Sequence, residues 1–81
     1  MSKWLNVRLS GDEVPKHELF GTEDEAASAL EGALDRHRQR GRQIDMEVAG
    51  GDTRWVVSES GEFVAKYWLS DTKDGGAVDT Q

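Results

Sequence analysis

Residues 43–69 read QIDMEVAGGDTRWVVSESGEFVAKYWL, and the order of apolar, polar and glycine positions in this stretch decides the fold. Ile44, Met46 and Val48 alternate with Gln43, Asp45 and Glu47. A period of two places one side of a strand on a core and the other toward water. Trp55 and Val57, then Phe63, Ala65, Tyr67 and Leu69, repeat the pattern. Gly50-Gly51 fits a two-residue hairpin loop, so Ala49 faces Asp52. Met46 then meets Trp55 and Ile44 meets Val57 on the core face, with Glu47 opposite Arg54 as a cross-strand charge pair. A two-residue Ser60-Gly61 turn would separate Phe63 and Tyr67 from the face of Trp55. A three-residue Glu59-Ser60-Gly61 loop, with Gly61 as a left-handed bulge residue, keeps them together. It predicts Val57 beside Phe63 and Trp55 beside Ala65.

Upstream, Leu5, Val7 and Leu9 alternate with Trp4, Asn6, Arg8 and Ser10, a half-buried strand over Lys3–Ser10. Gly11, Asp12 and Pro15 break it. His17–Phe20 admits a short extra strand that is not counted in the element order. Thr22 and Glu25 match a capping box, and Glu23, Asp24 and Glu25 suit the positive end of a helix dipole. Ala26, Leu30, Ala33, Leu34 and His37 form one helical stripe, and Gly41 is a left-handed stop. The order is β-α-β-β-β, an α+β fold of two layers with one helix on an antiparallel or mixed sheet. The first strand pairs beside either the second or the last. Residues 1–69 form a single domain, and residues 70–81, rich in Asp, Thr, Lys and Gly, read as a disordered tail.

The whole chain has 81 residues, which allows one core. It contains no cysteine, so packing rather than disulfides or cysteine-bound metal must hold it. Sixteen acids against ten bases give a net charge of -6. That balance argues against a general nucleic-acid binder. No apolar run is long enough for a membrane span, and the start lacks an apolar signal core. A soluble cytoplasmic domain is expected.

Chemistry finds little support in the pattern. His17 and His37 lie 20 positions apart, without the paired spacing of zinc ligands, so no metal or other cofactor is expected. No serine sits at a strand-to-helix elbow, and no carboxylate pair is singled out by its setting. Gly50-Gly51 joins two strands and is a turn rather than a phosphate cradle. The expected function is therefore non-enzymatic.

Two surface features stand out. Arg36, Arg38, Arg40 and Arg42 concentrate positive charge at the end of the helix of an otherwise acidic chain. They suit the helix dipole, and they also suit an acidic partner surface. Under the predicted register Trp4, Val56, Val64 and Trp68 point away from the helix among Arg8, Arg54 and Lys66. A sheet covered on one side ordinarily shows water a polar face, and Trp and Arg are the residues most enriched at binding hot spots.

The leading expectation is a small acidic protein that occupies a surface of a larger protein partner. In size, charge and α+β build the chain resembles small phage-encoded inhibitors of the anti-CRISPR type. That resemblance implies blockade of a nucleic-acid-handling complex and carries over no residues. The surface features themselves point to steric blocking by the Trp4/Trp68 face or by the acidic segment Asp12–Glu25, with Arg36–Arg42 as a secondary contact. The alternatives are direct contact with RNA or DNA through the arginine cluster and outer aromatics, and a homodimer joined through the outer sheet face.

Overall fold

The computed structural model describes residues 2–49 and 52–71. In chain order these form β1 (Lys3–Leu9), β2 (Lys16–Phe20), α1 (Glu23–Gln39), β3 (Gln43–Ala49), β4 (Asp52–Glu59) and β5 (Glu62–Ser70). The fold is α+β, with one helix and a five-stranded antiparallel sheet ordered β2-β1-β5-β4-β3.

The helix obeys its local signals. Thr22 is the N-cap, and its Oγ1 accepts the Glu25 amide at 3.2 Å. The Glu25 carboxylate reaches back to the amide of Gly21 at 3.1 Å, one residue before the position an ideal capping box would use. At the other end the amides of Gly41 and Arg42 bond to the carbonyls of Arg38 and His37. With Gly41 at φ 78° this is a Schellman stop, a conformation that costs glycine nothing. Ala26, Leu30 and Leu34 are buried. Leu30 and Leu34 share one cluster with Leu5, Val57, Ala65 and Tyr67 of the sheet.

The element order corrects the expected β-α-β-β-β to β-β-α-β-β-β, because His17–Phe20 belongs to a genuine strand. β2 pairs only with β1 and so lies at a sheet edge. Phe20 packs on the core while Leu19 stays exposed, so an edge strand of this composition carries almost no alternation to read. The first strand lies beside the last, with Leu5 opposite Leu69, Val7 opposite Tyr67 and Leu9 opposite Ala65. This register joins two apolar rows on the core face.

The β3–β4 register is the expected one: Ala49 faces Asp52, Met46 faces Trp55 and Ile44 faces Val57. Gly50 and Gly51 lie outside the described residues. Glu47 is opposite Arg54, yet no ion pair within 4 Å joins them; among the described residues the ion pairs are Lys3–Asp71 and Arg42–Glu59.

The β4–β5 connection differs. Glu59 pairs with Glu62, leaving Ser60 and Gly61 as a two-residue turn with both φ angles positive, 54° and 83°. That geometry matches the twist of a hairpin. The register then shifts between Val57 and Ser58, so Val57 faces Ala65 rather than Phe63, Trp55 faces Tyr67 rather than Ala65, and Phe63 faces Ser58. Val64 is the extra residue, and its carbonyl accepts the amide of Ser10 at 2.8 Å. The bulge restores parity for Ala65 and Tyr67 but reverses it below. Val64, expected on the outer face, packs against the core, and Phe63, expected in the core, is 42% exposed.

Strand β5 runs to Ser70. Ser70 pairs with Trp4, and Lys3 Nζ donates to Asp71 Oδ1 at 2.7 Å. The rest of the expected tail lies outside the described residues.

Candidate binding surfaces

The face of the sheet away from the core carries Trp4, Asn6 and Arg8 on β1, Lys66 and Trp68 on β5, and Arg54 and Val56 on β4. Its centre is not the open aromatic platform the alternation suggests. Trp68 is only 5% exposed and Trp4 is half-buried. Trp4 meets the His17 ring edge-on at 6.4 Å between centroids. Val56 is half-buried between Asp45 and Lys66 in register. Trp68 is thus a support of this face rather than an exposed anchor.

Asn6, which sequence reasoning passed over, sits in the middle with no accessible surface. Its Nδ2 donates to the Trp68 carbonyl at 3.3 Å and to Ser70 Oγ at 2.9 Å. Its Oδ1 accepts from His17 Nδ1. One amide therefore links β2, β1 and β5. Nothing in a polar residue flanked by Trp4 and Arg8 along an alternating strand signals such burial.

Above Trp68 the cations converge. Arg8 lies directly opposite Lys66, Arg54 directly opposite Trp68, and the four line a pocket of about 40 Å³. The Arg54 guanidinium is 5.9 Å from the indole centroid, a cation–π distance. Its Nε is buried without a hydrogen-bond partner. Arg8 and Lys66 make no ion pair or side-chain hydrogen bond among the described residues. Like charges directly opposite on a sheet repel, and an unanswered buried donor costs further. The arrangement suits an oxyanion brought by another molecule.

The arginine cluster divides. Arg36, Arg40 and Arg42 line a cleft of about 230 Å³ with Ala33, His37 and Tyr67, whereas Arg38, two residues round the helix, does not reach it. Arg42 is fixed: its Nε donates to Glu59 at 3.0 Å and its Nη1 to His37 Nδ1 at 3.0 Å. An arginine only donates, so Nδ1 is the bare nitrogen of a neutral imidazole. Nε2–H then donates to the Tyr67 hydroxyl at 2.9 Å. Two polar tips on the core stripes thus satisfy each other, a pairing readable from their separate placement on the core side.

Burial, followed by the charges of Arg42, Arg40 and Arg36, holds the His37 pKa below its ordinary 6.5. Burial raises that of Tyr67, with Arg36 and Arg42 pulling it back. The unfolded imidazole binds a proton more readily than the folded one. Its contribution to stability is complete above about pH 6.5 and declines as pH falls below that value. His37→Gln, whose amide can both donate and accept, should flatten the fall in urea midpoint between neutral and mildly acidic pH. An unchanged pH profile would assign the fall to other groups.

No protein family, curated protein or solved structure matches this chain. Among the described residues, no helix is long and apolar enough to cross a membrane, and no three His, Asp or Glu side chains gather as a metal site.

Proposed function

We propose that this chain is a non-enzymatic binding protein that acts in the cytoplasm by occupying a surface of a larger protein. In this reading the molecule is a two-layer unit whose uncovered sheet is the docking face. The observation that carries it is the trio Arg8, Lys66 and Arg54, crowded over one indole without an acid among the described residues to answer them. Repulsion retained at the centre of a sheet face suits a site completed by a partner's carboxylates.

The surrounding charge sharpens the partner. A basic centre on a body of net charge -6 is complemented by an acidic spot within a basic surface. Carboxylates that hold divalent metals inside a cationic nucleic-acid channel have this pattern. The proposal is therefore an inhibitor of a nucleic-acid-handling enzyme, of which a CRISPR effector is one example, working by steric and electrostatic occupation of the channel. Arg36, Arg40 and Arg42 form a secondary contact, and Arg38 a peripheral one.

The test is the Arg8→Gln, Lys66→Gln double variant. Relieving the opposed charges should leave stability unchanged or raise it by about 0.2–1 kcal/mol, more at low salt. Capture of the partner from the native organism should be lost. A less stable variant would make the two cations structural, and undiminished capture would move the docking face elsewhere. Direct nucleic-acid contact through Arg36–Arg42 is the second reading, favoured by the open arginine cleft. It requires binding of bare RNA or DNA that falls steeply with salt.

A further inference from the structure

Among the described residues strand β3 ends the sheet, pairing with β4 on one side only. The two edges of the sheet are built differently. On the core side of β2, Lys16 and Glu18 interrupt the apolar row, facing Val7 and Leu5. Charged residues of this kind protect an edge from unwanted pairing. The corresponding row of β3 is Ile44, Met46 and Val48, without a break over seven residues. Met46 is 65% exposed and Val48 69%, so the helix does not cover them. Asp45 and Glu47, both exposed, occupy the opposite face.

An edge with free backbone groups and an unbroken apolar row is a template for an added strand. A second copy of β3 is a poor occupant. Directly opposed residues in an antiparallel pair share a face, so two-fold pairing centred on Met46 would set Asp45 against Glu47 of the other copy. Centring on Asp45 or Glu47 would set that acid against itself. Each of these arrangements places like charges in contact, and centring on Ile44 or Val48 avoids that only by pairing no more than three residues of the strand. We propose instead that β3 accepts a strand from a partner segment in which apolar residues alternate with Lys or Arg, extending the sheet to six strands. Its apolar residues would cover Met46 and Val48, and its cations would face Asp45 and Glu47. This surface is independent of the Arg8–Lys66 docking face.

The probe is a blocked heptapeptide, Lys-Val-Lys-Ile-Lys-Val-Lys, with Glu-Val-Glu-Ile-Glu-Val-Glu as comparator, titrated into the labelled full chain. The basic peptide should shift the amide signals of residues 43–49 and slow their hydrogen exchange. It should bind at least about tenfold more tightly than the acidic one, a difference of about 1.4 kcal/mol. Asp45→Lys with Glu47→Lys should invert that preference, and Arg8→Gln with Lys66→Gln should leave it intact. No response from residues 43–49, a response centred on β2 or Arg8, or equal binding of both peptides would overturn the proposal. Concentration-dependent shifts of β3 without peptide would also overturn it, by placing a second copy on the edge.

Discussion

Leu34→Ala is expected to lower the unfolding free energy by about 3–4 kcal/mol. Leu34 has no accessible surface and lies in the core cluster that joins helix to sheet. Truncation removes the transfer free energy of the buried atoms and leaves a cavity, because residues held by sheet hydrogen bonds close in only partly. A domain of this length has roughly 4–12 kcal/mol in total. The variant should therefore unfold at a much lower urea concentration, followed by tryptophan fluorescence. Leu34→Met, nearly equal in volume, should lose less than about 1.5 kcal/mol. Equal small losses for both substitutions would show that the helix is not held by this contact.

Asn6→Leu should cost about 1–3 kcal/mol despite replacing a polar residue by an apolar one of similar size. Asn6 is fully buried, so its amide has exchanged water for His17, the Trp68 carbonyl and Ser70. Leucine satisfies none of these groups, and the partners left behind lose a bond made across two strand junctions. β2 is a five-residue strand at the sheet edge, so amide exchange should rise first between Lys16 and Phe20. A stabilised variant would show that these groups find other partners at little cost. Unchanged exchange in β2 would show that the edge strand is held independently of Asn6.

These two residues mark the range of what sequence patterning can reach. Leu34 is placed in the core by helical spacing alone, and Thr22 and Gly41 bound its helix through local capping rules. The β3–β4 register likewise follows from turn length and parity, both short-range properties. Asn6 carries no such sign, since its burial comes from β2 on one side and β5 on the other. Trp68 shows the same limit: parity identifies its face correctly, but neighbouring side chains decide how much water it meets. The Ser60-Gly61 turn could not be settled from parity either. A longer loop and a tight turn followed by a bulge place Ala65 and the residues after it on the same faces, although they reverse Phe63 and Val64 and give Trp55 and Val57 different partners, Tyr67 and Ala65.

The amino-acid order by itself determined the helix and its ends, four of the five strands, the β3–β4 pairing and the existence of a basic, aromatic-bearing sheet face. Each depends on periodicity or on chemistry within a few residues. Tertiary structure alone decided that β1 lies between β2 and β5, that Arg8 is set against Lys66, that Asn6 and Trp68 are buried, and that β3 is left as an open edge. Those facts arise where strands distant in the chain become neighbours, and the free energy that selects their order belongs to the packed sheet as a whole.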